Sequence, residues 1–293
     1  MEIAYLCDER FYRGRSRYQR IDIVNSCMYG RMLFLDGVAQ SAENDEFVYH
    51  EMLVHPALFS CESPASVLLI GGAEGATLRE VLRHPGVRRV AMVEIDGELV
   101  EICKRHLPQW HQRSFEDPRL ELIIGDGRRY VEQARETFDA IIVDLSDPLE
   151  GSPALYLFTR EFYALIKKCL APGGCAAFQG EGISPPGLGV HARMVHTLRQ
   201  VFPKVLPYPY FLHSFHRPDA HILATLDPRW SPKLLASRME SMALPLRYLT
   251  PAMARGIFSL PAYLSQAYRQ PIRLLTDRNV REVDEELHQL APP

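Results

Sequence analysis

From residue 17 to residue 24 the chain alternates polar and apolar positions (Arg17, Tyr18, Gln19, Arg20, Ile21, Asp22, Ile23, Val24), the period of a half-buried strand. Met32-Leu33-Phe34-Leu35 predicts a hairpin partner, with Tyr29-Gly30 between the two runs and Asp36-Gly37 as the following turn. Over residues 45–59 the period becomes helical, with Phe47, Met52, Leu53 and Pro56 towards the buried side and Pro64 beyond the end. The pattern changes again near residue 66. Short, nearly uninterrupted apolar runs recur at 67–70, 90–93, 120–124 and 140–143, most of them separated by helical stretches. Runs of that kind fit strands covered on both faces, so the prediction is an α/β protein with a mostly parallel, doubly wound sheet. From about residue 227 the chain is rich in Leu, Arg and Pro and reads as a helical appendage.

Composition narrows the function classes. The 293 residues are 47% hydrophobic and 24% charged with a formal net charge of −3, which supports a sizeable core and gives no sign of a nucleic-acid binder. No run approaches the roughly 18 apolar residues of a membrane span. The first twenty residues are polar and arginine-rich, unlike a secretory leader, so the expected location is cytoplasmic. The six cysteines (7, 27, 61, 103, 169 and 175) form no CxxC pair and no zinc spacing. His50-Glu51-Met52-Leu53-Val54-His55 places its histidines five apart, not the four that a zinc helix needs, and no metal is expected.

The first apolar run of the sheet leads into Gly71-Gly72-Ala73-Glu74-Gly75 and then a helix start. Glycines there let the backbone turn tightly and approach a ligand. The next strand ends in Val93-Glu94-Ile95-Asp96, and an acid at that position is placed to bind ribose hydroxyls. A dinucleotide fits poorly: the GxGxxG spacing is absent, and Glu74 at a helix N-terminus repels phosphate and attracts a cation. A nucleoside sulfonium fits better. The third strand ends in Gly125-Asp126-Gly127, where Asp126 can accept from the adenine amino group. The fourth ends in Asp144-Leu145-Ser146-Asp147-Pro148, with two carboxylates three positions apart. So many acids on one sheet edge raise one another's pKa unless cations intervene, and a polycationic substrate supplies them.

These residues together resemble the spermidine and spermine synthases, the polyamine aminopropyltransferases, over roughly residues 15–225. Leu35-Asp36-Gly37-Val38-Ala39-Gln40-Ser41 and Asp45-Glu46-Phe47-Val48-Tyr49-His50-Glu51-Met52 look like the family's N-terminal signature. The glycine loop and the three strand-end motifs look like its glycine loop, ribose, adenine and catalytic motifs, and Phe178-Gln179-Gly180-Glu181 like a further one. The resemblance implies a small N-terminal β-domain (1–60, with its following helix) on a Rossmann-like, class I methyltransferase-type domain with a helical C-terminal part (61–293). It implies aminopropyl transfer from decarboxylated S-adenosylmethionine, a co-substrate and not a cofactor, to a polyamine, in a homodimer or homotetramer. By motif match Asp144 is the catalytic acid/base. Gln19, His50, Gly71, Gly72, Glu74, Glu94, Asp126 and Gly127 face the donor, with Glu74 on its ammonium. Tyr49, Asp147, Gln179 and Glu181 face the acceptor.

Three departures from the spermidine-synthase pattern look like the thermospermine and spermine synthase branch: Glu74 where Asp is usual, Leu145 where Ser is usual, and one extra residue within 147–153. Gln179-Gly180-Glu181 looks like ordinary spermidine synthases, and residues 207–220 lack the family's Thr-Tyr-Pro-Ser-Gly motif. Spermidine is therefore the favoured acceptor and putrescine the second. The competing readings are a class I methyltransferase, which would carry a small residue in place of Glu74, and a polyamine-binding module without catalysis.

Overall fold

The alternation at the N-terminus becomes strand because one of its faces has somewhere to go. A computed structural model describes residues 3–146, 153–184 and 188–282. Its first sheet contains β1 (Cys7–Arg15), β2 (Arg20–Ser26), β3 (Gly30–Leu35) and β4 (Val38–Ala42) in sequential antiparallel order. Ile21 lies opposite Leu35, and Ile23 opposite Leu33. Those four side chains form a buried cluster with Ala73, Ala76, Leu99, Val100, Leu107 and Trp110 of the following domain. The sheet is thus one layer of a shared core. β1 and β4 were not among the predicted strands; β1 (CDERFYRGR) is mostly exposed and has no apolar face to announce it.

After α1 (Glu46–Leu58) the chain alternates strand and helix: β5 (Ser66–Gly71), α2 (Ala76–Leu82), β6 (Arg89–Glu94), α3 (Gly97–His106), α4 (Pro108–His111), β7 (Leu120–Ile124), α5 (Gly127–Gln133), β8 (Phe138–Asp144), α6 (Arg160–Lys168), β9 (Leu170–Gly182), α7 (Leu188–Arg199), β10 (Lys204–Leu212) and β11 (Arg217–Thr225). The seven strands run in the order β10-β11-β9-β8-β5-β6-β7. β5 to β9 pair in parallel, whereas β11 and β10 close that edge antiparallel. The predicted apolar runs 67–70, 90–93 and 140–143 are buried interior strands, whereas 120–124, expected to be covered on both faces, is the edge strand β7 and only partly covered, with Ile124 exposed. The two faces of the interior strands feed two separate cores. Leu68, Ile70, Ile141, Val143 and Phe178 point into one, and Val67, Leu69, Ala140, Ile142 and Ala177 into the other.

From β5 the chain moves outward to β6 and β7, then returns to β8 on the other side of β5. Open α/β sheets bind ligands at such a reversal, beyond the carboxyl ends of the strands. Here those ends are Gly71 and Asp144, which are register partners. Gly71 has φ +84°, and a Cβ on it would lie 2.0 Å from the Asp144 carbonyl oxygen, so no other residue fits.

The C-terminal stretch holds α8 (Pro232–Met242), α9 (Pro251–Ala254) and α10 (Ala262–Ala267), linked by extended segments. It is tied back by carboxylates, one of them fully buried. The Glu51 carboxylate accepts the backbone N–H groups of Arg247, Tyr248 and Leu249 at 2.6, 2.8 and 3.0 Å. Asp277 accepts a two-pronged hydrogen bond from Arg128 at 2.8 and 2.6 Å. No helix among the described residues is long and apolar enough to cross a membrane.

Candidate active site

Asp144 ends β8 half-buried, held from three sides. Tyr49 of α1 donates its hydroxyl to Oδ1 at 2.7 Å, Thr77 of α2 donates to Oδ2 at 2.5 Å, and the Asp144 carbonyl accepts from the Gly72 N–H at 3.0 Å. Burial raises the pKa of the Asp144 carboxyl above the ordinary aspartate value. The charge on His50 and the two hydroxyl bonds oppose that rise, and Glu74 adds to it. The result is a fixed carboxylate with a raised proton affinity at a sheet edge, the configuration of a proton acceptor.

Glu74 lies in the glycine loop just before α2, which Gly75 caps with φ +80°. Its Oε1 is 2.8 Å from His50 Nε2, and its Oε2 accepts from the Ser41 hydroxyl at 2.7 Å. His50 Nδ1 lies 2.6 Å from the Glu46 carboxylate one helical turn earlier. Burial would lower the His50 pKa, but hydrogen bonds to Glu46 and Glu74 overcome it and hold the ring up to about 10. His50 is therefore an imidazolium at neutral pH, donating from both nitrogens.

Glu94, at the end of β6, is buried and accepts the Asp96 N–H at 2.8 Å. Burial pushes its carboxyl up to about 7; the backbone bond opposes, and the neighbouring Asp96 charge assists. Asp96 caps α3 by accepting the Leu99 N–H at 3.0 Å. Its other oxygen receives the Ser16 hydroxyl and Gln19 Nε2, at 2.5 and 3.0 Å, from the N-terminal sheet. Asp126 caps α5 through Oδ1, which accepts from the backbone N–H groups of Arg128 and Arg129 at 2.8 and 3.1 Å, and stays exposed at the strand end. Gly127 follows it, packed so closely that a Cβ would lie 2.5 Å from Ile70.

Gln179 and Glu181 lie on β9, both buried, with Gln179 Nε2 donating to Glu181 Oε1 at 3.2 Å. An extra β9 residue opposite β11 breaks the register there, and Glu181 takes the left-handed φ of +69°. Asp147 lies outside the described residues.

Of the residues read from sequence, Tyr49, His50, Gly71, Gly72, Glu74 and Asp144 thus converge directly. Gln19 and Glu94 are linked to each other through Asp96. Asp126 and Gly127 occupy the next strand end along the same sheet edge.

Sequence reasoning missed several partners. Thr77 looks like an ordinary helix residue until the fold sets it against Asp144. His221 of β11 lies between Tyr49, which it meets edge to face, and Tyr210, tilted against it, with ring centroids 4.8 and 4.4 Å away, and burial pulls its pKa down to about 3. The three rings form a neutral aromatic cluster behind Asp144, which the Tyr49 hydroxyl joins to it. Its residues come from α1, β10 and β11, and no local spacing signals it. Among the described residues no cluster of His, Cys, Asp or Glu could hold a metal ion.

Comparison with known proteins matches this geometry. Residues 46–216 match the spermine/spermidine synthase domain, and residues 1–43 the spermidine synthase tetramerisation domain. Polyamine aminopropyltransferase 2 of Pseudomonas aeruginosa is 46% identical over 84% of this chain and 71% of its own length. Polyamine aminopropyltransferase 2 of Hyperthermus butylicus is 44% identical over 90% of this chain and 88% of its own. A crystal structure of spermidine synthase in complex with the transition state analogue AdoDATO superposes with a TM-score of 0.83 at 31% identity, covering 90% of this chain and 89% of that one. Spermidine synthase from Thermotoga maritima superposes at 0.81 with 30% identity, covering 90% and 88%. The chain belongs to the spermine/spermidine synthase family of polyamine aminopropyltransferases.

Proposed function

We propose that this chain moves an aminopropyl group from decarboxylated S-adenosylmethionine to a polyamine, releasing 5'-methylthioadenosine, with spermidine favoured over putrescine as acceptor. The observation that carries the reading is Asp144, fixed by Tyr49 and Thr77 directly beside the Gly71-Gly72 turn.

An acceptor amine arrives protonated, and its lone pair is unavailable. Asp144 orients the ammonium and takes its proton. The freed nitrogen attacks the propyl carbon attached to sulfur, in line with the C–S bond. The N–C bond forms as the C–S bond breaks, and that electron pair neutralises the sulfonium to a thioether. Positioned base catalysis supplies about 10²–10⁴-fold, and holding both reactants in line supplies up to about 7–11 kcal/mol of the barrier. Glu94 serves the ribose, Asp126 the adenine amino group and Glu74 the donor's ammonium. Gln19 acts through Asp96, and Gln179, Glu181 and Asp147 serve the acceptor. Glu74 disfavours intact S-adenosylmethionine, whose own carboxylate would meet it. Its match in the thermospermine and spermine branch supports the triamine. The tetramerisation-domain match over residues 1–43 supports a homo-oligomer, and the soluble substrates suit a cytoplasmic setting.

The test is mass-spectrometric product analysis with the donor and a panel of diamines and triamines. Methylthioadenosine and an aminopropylated triamine are expected, and Asp144→Asn should lose at least about a hundredfold in turnover while keeping donor affinity. Efficient turnover of putrescine with none of spermidine would overturn the acceptor assignment. Binding of donor and amine with no methylthioadenosine formed would overturn the reaction.

A further inference from the structure

Glu74 is held by a closed circuit of hydrogen bonds that runs through the interior. On one arm its Oε1 meets His50 Nε2 at 2.8 Å, and His50 Nδ1 meets Glu46 Oε2 at 2.6 Å. Glu46 in turn accepts two bonds from the Arg79 guanidinium at 3.0 and 3.1 Å. On the other arm its Oε2 accepts from the Ser41 hydroxyl at 2.7 Å, and Ser41 accepts from the Trp110 indole N–H at 3.0 Å. The Trp110 carbonyl then accepts from Arg79 at 2.6 Å, which closes the circuit. Ser41, Glu46, His50, Glu74, Arg79 and Trp110 are each at most 9% exposed. They come from β4, α1, the glycine loop, α2 and α4.

We infer that Arg79 is a positioning residue for donor binding: it anchors both arms that hold the Glu74 carboxylate, and so presets that carboxylate for a ligand ammonium. The inference rests on the reading that Glu74 faces the donor's aminopropyl ammonium.

The physical case has three parts. An unrestrained glutamate samples many rotamers, and fixing it on binding costs conformational entropy. Here both oxygens are already oriented by donors from different directions, so the cost is met on folding. A preset anion binds a cation more tightly than a mobile one. Charge alternates along the first arm: Arg79 positive, Glu46 negative, His50 positive, Glu74 negative. Each buried charge therefore has a partner, which buried ions require. Arg79 is also suited to the role by shape. Its planar fork serves Glu46, the Trp110 carbonyl and, through Nε at 2.8 Å, Glu80; a lysine ammonium cannot span three such partners in one plane.

Two ligands separate positioning from bulk stability. Methylthioadenosine shares the nucleoside of the donor but has no ammonium. Calorimetric titration of Ser41→Ala, Glu46→Gln and Arg79→Lys with both should show donor affinity falling about tenfold, as expected for loss of a hydrogen bond to a charged group, with methylthioadenosine affinity unchanged within about twofold. In turnover the donor KM should rise by the same factor, with a smaller fall in kcat. Ser41→Ala removes one hydroxyl on the arm remote from the buried arginine, so it keeps the test open if Arg79→Lys fails to fold. Equal losses for both ligands, or no loss for either, would overturn the inference. Glu74→Gln is the reference. If it weakens both ligands alike, the reading of Glu74 itself fails and the inference falls with it. If it is selective for the donor while the Ser41, Glu46 and Arg79 variants are not, only the role of Arg79 fails.

Discussion

A carboxyl that spends folding energy to stay ready for a ligand leaves a signature in stability. Glu94 is such a group, because burial holds its pKa up to about 7 against an ordinary value of 4.5. The folded chain then binds more protons than the unfolded chain between those values. Stability falls as pH rises from about 4.5 to about 7, and above that the penalty is complete. A shift of that size corresponds to at most about 3 kcal/mol. Glu94→Gln removes it, and the amide oxygen can still accept the Asp96 N–H. Without ligand, Glu94→Gln should therefore melt higher than the parent at pH 8, and the two should converge near pH 4. Methylthioadenosine should reverse the order at pH 8, because the parent regains a charged acceptor for the ribose hydroxyls. Thermal melts at the two pH values, with and without the nucleoside, check both halves. A parent more stable than Glu94→Gln at pH 8 without ligand would contradict the account.

At the scale of elements, what the sequence reveals depends on how far away the partners lie. The central strands were legible because being covered on both faces demands unbroken apolar runs, such as 67–70 and 140–143. The glycine loop with its Glu74, and the strand-end acids Glu94 and Asp144, were legible as positions because the turn, the close approach and the charge all occur within a few residues. β1 was not legible, because its nine residues take their order from pairing with β2 and not from an apolar face. Nor was the role of Glu51. In sequence it looks like part of a failed zinc motif, but it is fully buried, and the three N–H groups it accepts lie 196 to 198 positions away. A carboxylate taking three backbone bonds ties α1 to the extended C-terminal segment. Glu51→Gln turns an amide NH2 towards those donors and leaves at least one unmatched. It should cost about 1–3 kcal/mol. It should also selectively raise hydrogen exchange at Arg247, Tyr248 and Leu249, while donor binding at the far side of α1 changes little. Uniform loss of protection across the sheet would instead make Glu51 a general core residue.

At the scale of the whole molecule, the N-terminal sheet and the Rossmann-like layer share one buried core. The buried face of the sheet, Ile21, Ile23, Leu33 and Leu35, lies on Ala76, Leu99, Val100 and Trp110. The polar residues at its rim reach the site, with Ser16 and Gln19 on Asp96 and Ser41 on Glu74. The element whose sequence matches an assembly domain thus also binds two of the proposed donor-site carboxylates. The apolar cover on Trp110 and the Ser41 bond to Glu74 come from the same sheet, so moving it aside uncovers the one and releases the other. A fragment of residues 44–293 should show both consequences. Four aliphatic side chains of cover amount to roughly 6–12 kcal/mol of burial, as large as the whole stability of a typical domain. The fragment should bind a hydrophobic dye, melt well below the full chain and, on the proposed role of Glu74 toward the donor's ammonium, lose donor affinity more than methylthioadenosine affinity, since Glu74 loses its Ser41 bond. A fragment with full-length melting temperature and unchanged donor affinity would show instead that the sheet serves assembly alone.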